Sequence, residues 1–215
     1  MHRFLLLASL LPLLVAIVLR KVHADRALRV AYDSELYTTA GDLARGMLAA
    51  AGNEAVDIRT RKRVWAAASV TGDGWLALPA KVAQGASAAD AGMAALRVGL
   101  YLLSQRNPAA VARRQWALRF GHVFPVFTLV VCVFAMLVGK LPLLWALSIL
   151  FASLGIACCA QALAVAADRQ AAVLAVVLLE KKRVLHRLTE EEAVVAATRA
   201  WAWRDAVPGL VSRLM

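Results

Sequence analysis

The sequence predicts a mainly α-helical integral membrane protein with three transmembrane helices, a signal anchor plus a helical hairpin, and a small cytoplasmic α+β region. Three observations carry this. First, 61% of the 215 residues are hydrophobic and the mean hydropathy is +0.65, against roughly 45–50% apolar residues in a soluble domain. Second, charge is absent from 4–19, 120–139 and 141–167; the last two runs are long enough for a hydrocarbon core of about 30 Å, and the first is slightly short. Third, the polar residues gather in 20–119 and after 167, with turn and cap signals that a membrane interior does not need.

Residues 1–19 read as an N-terminal anchor. Val22-His23-Ala24 superficially resembles a small-residue cleavage site. Arg20 and Lys21, between the apolar run and that site, favour retention.

The region 20–119 opens with a helix over 38–51, which Gly52 suits as a C-terminal cap. Short β-branched or aromatic runs at 55–59 and 64–70, and Trp75 to Leu78 after the turn-like Thr71-Gly72-Asp73-Gly74, predict a small β-hairpin. Arg59, Arg61, Lys62 and Arg63 form a basic cluster on it, a solvated face by default and a lipid or partner contact as the sharper reading.

The stretch 88–105 organises the rest. Ser87 with Asp90 makes a capping box, and Asn107-Pro108 stops the helix, because a residue before proline is pushed out of the α region. It is apolar on nearly every face, so it is buried in protein or lipid. Its one central charge, Arg97, needs a partner, since an unpaired buried charge is costly. Asp90, two turns earlier, is the nearest candidate within the segment.

Lys140 and Pro142 separate the second and third charge-free runs, so 120–167 is a tight transmembrane hairpin. Gln161, the amide in its second arm, is expected to hydrogen-bond between helices. The tail 168–215 is helical and cytoplasmic or interfacial. Lys181, Lys182 and Arg183 form another lipid or partner contact, and Thr189-Glu190-Glu191-Glu192 opens a second helix as a capping box. Trp201 and Trp203 suit either a membrane interface or packing against 20–119.

One Lys or Arg precedes the first span, fifteen lie between Arg20 and Arg119, one sits in the hairpin turn and eight follow residue 167. The positive-inside rule then places the N-terminus and Lys140 outside and the C-terminus in the cytoplasm. A net charge of +11 fits contact with anionic membrane lipids. The basic residues are scattered without a nucleic-acid-binding module, so no nucleic acid partner is expected. Cys132, Cys158 and Cys159 form no C-x-x-C pair, and His2, His23, His122 and His186 form no H-x-x-x-H.

The order of these pieces, with Gly41-Asp42-Leu43-Ala44-Arg45, Ala167-Asp168-Arg169-Gln170-Ala171 and Leu188-Thr189-Glu190-Glu191-Glu192, resembles the bacterial neutral zinc membrane peptidases of the YugP type over nearly the whole chain. That resemblance implies an inner-membrane location and a catalytic helix A-H-E-x-G-H-A-I-Q, in which two histidines four apart bind zinc and the glutamate is the general base. Here the stretch reads Ala95-Leu96-Arg97-Val98-Gly99-Leu100-Tyr101-Leu102-Leu103. Leu96 and Leu100 stand at the histidine positions and Arg97 at the glutamate position; Gly99 is kept. The third ligand would align at Ala164, and the family's D-H-Y-D segment is missing around 69–73. Leucine has no lone pair for zinc, a catalytic site needs about three protein ligands, and arginine stays protonated and cannot take a proton from water.

The expectation is therefore a metal-free pseudopeptidase with no cofactor, acting as a membrane scaffold or accessory subunit beside another membrane protein or a second copy of itself. The small-residue stretches 152–167 and 193–200 would let helices approach closely. The alternatives are an inner-leaflet lipid-binding module, or a hydrolase using Ser69, Ser87 or Ser104, for which no histidine is placed by sequence to activate the hydroxyl.

Overall fold

The computed structural model describes residues 2–62, 69–185, 187–208 and 211, with side chains from residue 10 onward. Arg63, His186 and most of the run 64–70 lie outside that set. Helix α1 (His2–Arg20) passes through a π-helical turn, Lys21–Asp25, into α2 (Arg26–Tyr32). Helix α3 (Ala40–Ala50) starts where Thr39 Oγ1 accepts the Asp42 N–H at 3.2 Å. It stops before Gly52, whose φ of +74° is the left-handed conformation that favours glycine.

Three short strands follow, β1 (Asp57–Arg61), β2 (Thr71–Gly72) and β3 (Trp75–Pro79), in the order β1-β3-β2. The expected hairpin is β2–β3, closed at Asp73-Gly74, and β1 adds to its far side in parallel, with Asp57 opposite Trp75. The arrangement follows from composition. Leu76, Ala77 and Leu78 of β3 are wholly buried, as a central strand requires, whereas the polar Asp57-Ile58-Arg59-Thr60-Arg61 suits an edge.

After the single turn α4 (Ala80–Gln84) comes α5 (Ala88–Arg106). Ser87 Oγ accepts the Asp90 N–H at 3.1 Å and donates to Asp90 Oδ2 at 2.8 Å. Asn107 ends α5 and starts the next helix, its side chain accepting the Ala110 N–H at 3.1 Å, with Pro108 at the first helical position, where its missing N–H costs nothing. Helix α5 is buried on nearly every face among α3, β3, α7 and α8. Two glycines permit this. A Cβ on Gly99 would stand 2.1 Å from the Ala171 carbonyl oxygen of α7, and one on Gly92 would stand 2.5 Å from the Ala197 Cβ of α8.

Helices α6 (Pro108–Val138) and α7 (Leu143–Lys182) form the hairpin, joined by a turn in which Lys140 has φ +54°. Among the described residues these two are long and apolar enough to cross a membrane. Each continues past its charge-free run, so residues 119 and 167, where the charge pattern changes, lie inside unbroken helices. Gln161 departs from expectation: it is fully buried, yet neither amide atom has a hydrogen-bond partner among the described residues. It packs over Gly121 of α6, where a Cβ would come within 2.7 Å of Nε2.

Helix α8 (Leu188–Arg204) begins one residue before the expected capping box. Its N-cap is Arg187, without a side-chain cap. Thr189 consequently sits in the first turn and cannot cap it. Helix α1 packs on the apolar half of α7, where Leu13 and Ala16 meet Leu154 and Cys158.

Candidate functional site

Helix α5 turns Met93, Leu96, Arg97 and Leu100 toward a cleft of about 290 Å³, completed by Arg114 and His122 of α6, Asp168 of α7, and Trp201, Arg204 and Asp205 at the end of α8. Positions 96, 97 and 100 share this face because residues three and four apart on a helix are neighbours. Leu96 and Leu100 are both buried, packed with Ala167, Ala171 and Trp201.

Arg97 does not meet Asp90, which is engaged by Ser87. Its Nη1 donates instead to the Ala77 carbonyl oxygen of β3 at 2.7 Å. No carboxylate among the described residues lies within ion-pair distance of it. Burial, and then repulsion from Arg114, lower its pKa from the usual guanidinium range to about 10, partly offset by Asp205 and Asp168.

Arg114 is held differently. Its Nε donates to Asp168 Oδ1 at 2.6 Å, and its Nη2 lies 3.9 Å from Asp205 Oδ2; the Arg114 and Asp168 side chains are both buried. On the same wall the Trp201 Nε1–H donates to the Ala89 carbonyl at 2.7 Å, so this tryptophan packs against α5. The Arg204 guanidinium lies 4.2 Å from its ring centroid.

These residues do not fit zinc. Leu96 and Leu100 offer hydrocarbon, Arg97 and Arg114 offer positive charge, and Asp168 already accepts from Arg114. Ala164 is fully buried against Ala117 and Leu118, one turn before the cleft carboxylate. No group of three His, Cys, Asp or Glu side chains among the described residues could hold a metal ion. The arrangement can instead bind or exclude a polar group through three guanidinium groups facing two carboxylates.

The three serines lie away from this cleft. Ser87 caps α5, Ser104 Oγ donates to the Tyr101 carbonyl at 2.6 Å, and Ser69 is hydrogen-bonded to the Gln115 side chain. The basic clusters are elsewhere too. Arg59, Arg61 and Lys62 are exposed on and just after the edge strand β1, with Arg59 and Arg61 over the Trp75 ring at 5.3 and 5.8 Å. Lys181, Lys182 and Arg183 are exposed at the end of α7, where Arg183 has φ +44°.

Sequence reading missed the convergence of Arg114, Asp168 and Asp205. One signal was present: Asp168 is the sole carboxylate between 143 and 179, and a carboxylate inside so long an apolar helix needs a cation. No family model matches the chain, nor does any curated protein or solved structure.

Proposed function

We propose that this chain is a metal-free pseudopeptidase of the bacterial inner membrane, resembling the YugP-type peptidases in layout and working by binding rather than hydrolysis. In this reading α1, α6 and α7 span the bilayer, with the N-terminus and Lys140 outside and the sheet, α5 and α8 in the cytoplasm. The observation that carries it is the α5 face. Where the resemblance calls for two imidazoles and a carboxylate, Leu96, Leu100 and Arg97 line the cleft, and the nearby carboxylate is neutralised by Arg114. Leucines fill such a wall with dispersion contacts and leave no buried ligand unsatisfied.

A scaffold or accessory role follows from the outer face of α6. Trp116, Phe120 and Phe124 stack in sequence, with centroids 5.2 and 4.7 Å apart, beside the exposed Phe127. A contiguous aromatic surface of this kind is suited to another membrane protein or a second copy of this chain. The small-residue stretches support the role less, because Ala157, Ala164, Ala197 and Ala200 are already buried by the chain's own helices. The test is the mass of the full chain extracted in mild detergent from cells expressing it at native level. A complex larger than the 23.1 kDa chain, lost on Phe120→Ala with Phe127→Ala, is expected. A monomer with nothing bound would contradict the role.

A second reading, an inner-leaflet lipid-binding module, is favoured by the exposure of Arg59, Arg61, Lys62, Lys181, Lys182 and Arg183. Each cation near an anionic surface contributes on the order of 1 kcal/mol.

A further inference from the structure

Two cavities meet on the side of the molecule away from α6. One, of about 350 Å³, runs between α1 and α7 and is lined by Pro12, Val15 and Leu19 against Cys159, Ala162 and Ala166. The other, of about 650 Å³, lies between α7 and α8 and carries His23, Arg199 and Glu180. Arg169 and Trp203 line both. The Arg169 guanidinium lies 5.4 Å from the Trp203 ring centroid, and His23 stacks on that ring with centroids 4.9 Å apart. The result is one continuous groove, apolar along α1 and changing to cationic and aromatic at Arg169.

We infer that this groove holds one anionic phospholipid of the inner leaflet, its phosphate at Arg169 and Arg199 and an acyl chain between α1 and α7. Depth, charge and width agree on that occupant.

At 1.5 Å per helical residue, the wall from Cys158 to Arg169 is about 16 Å long, close to one leaflet of a hydrocarbon core of about 30 Å. Leu19 and Arg169 line the same groove, so the apolar-to-charged transitions of α1 and α7 fall at one level, where headgroups lie. Apart from Arg169, no charged residue faces the apolar half. At the headgroup end Arg169 and Arg199 supply two cations; Glu180 lies eleven residues further along α7, about 16 Å away along the helix.

A partner helix could not enter this groove whole. A cylinder about 10 Å across and 16 Å long needs roughly 1,200 Å³, several times the apolar volume. Side chains no larger than cysteine at 158, 159, 162 and 166 leave a channel the width of a single hydrocarbon chain. The exposed Val15 belongs to its apolar wall.

This inference rests on the membrane reading above, and one experiment separates the two. The full chain, purified in dodecyl maltoside, is offered dioleoylphosphatidylglycerol or dioleoylphosphatidylcholine, and retained lipid is counted by native mass spectrometry. Wild type is expected to retain the phosphatidylglycerol roughly five- to thirtyfold better, the effect of one to two surface cations. Arg169→Gln with Arg199→Gln should reduce this to parity, while Arg169→Lys with Arg199→Lys keeps the preference and reports intact folding. Ala162→Trp should abolish retention of both lipids with both arginines present, and millimolar inorganic phosphate should displace neither. An undiminished preference in the glutamine variant, unchanged retention in Ala162→Trp, or displacement by inorganic phosphate would overturn the proposal. A chain that needs detergent yet shows no preference refutes the lipid site alone; a chain that stays monomeric without detergent refutes the membrane reading as well.

Discussion

Helices α6 and α7 each run through two environments, and their two halves are packed by opposite rules. In the half that carries α5 and α8, most large apolar side chains turn inward: Leu100 is 1% exposed and Leu179 fully buried, and Arg114 is paired with Asp168. In the hairpin half the large apolar side chains turn outward, with Phe134 66% and Leu137 78% exposed, while small and polar residues such as Gly121, Gln161 and Ala164 occupy the contact. The same two helices are therefore packed inward at one end and present apolar side chains outward at the other. In the membrane reading proposed above, the outward side chains of the hairpin half face lipid tails, which are as apolar as leucine.

Substitutions that ignore this division should cost most in the half packed around α5. Arg114→Ala or Asp168→Ala leaves a buried charge without its partner and is expected to lower stability by about 3–5 kcal/mol, read as thermal unfolding of the full chain in detergent micelles. Leu100→Ala should cost about 2–5 kcal/mol in the same assay. Gly99→Ala drives a methyl into the Ala171 carbonyl, a backbone atom that cannot rotate away, and should cost about 1–3 kcal/mol.

The fifth variant changes sign. Arg97→Met removes a buried cation that has no carboxylate against it, and should raise stability at pH 7 by about 1 kcal/mol after loss of the bond to Ala77. The pH dependence follows from its lowered pKa of about 10. Below that value both folded and unfolded chains carry the proton and the burial cost is present in full. Above about 10, and up to the higher value of an unburied guanidinium, the unfolded chain binds more protons, so wild-type stability relative to the Met variant rises with pH. A flat difference across that window would mean the Arg97 charge is solvated. Smallest of all, Leu137→Ala at the exposed end of the hairpin should stay within about 0.5 kcal/mol; a loss like that of Leu100→Ala would erase the contrast between the halves.

What the sequence revealed follows the reach of each signal. Ser87, Asp90 and Asn107-Pro108 act over three or four residues, so α5 and its ends were readable. The missing charges of 120–139 and 141–167 announced the hairpin. Thr189 fitted the capping pattern, but α8 starts at Leu188 and carries it past the cap. Strand β1 pairs with β3 across eighteen residues, and no local signal specifies a parallel partner. The cleft was the least legible part, because Arg114 and Asp168 stand 54 positions apart on different helices and only the α6–α7 packing brings them together. Asp90 was the nearest acid to Arg97 in sequence, yet its own helix cap had already claimed it.

The proposed reading requires an α5 face that holds no metal ion. The most direct measurement is the zinc content of the full chain, purified without chelators and assayed by elemental mass spectrometry after exposure to zinc. The account expects no stoichiometric zinc, in wild type and in Asp168→Asn alike. One tightly held zinc per chain, lost on Asp168→Asn, would contradict it.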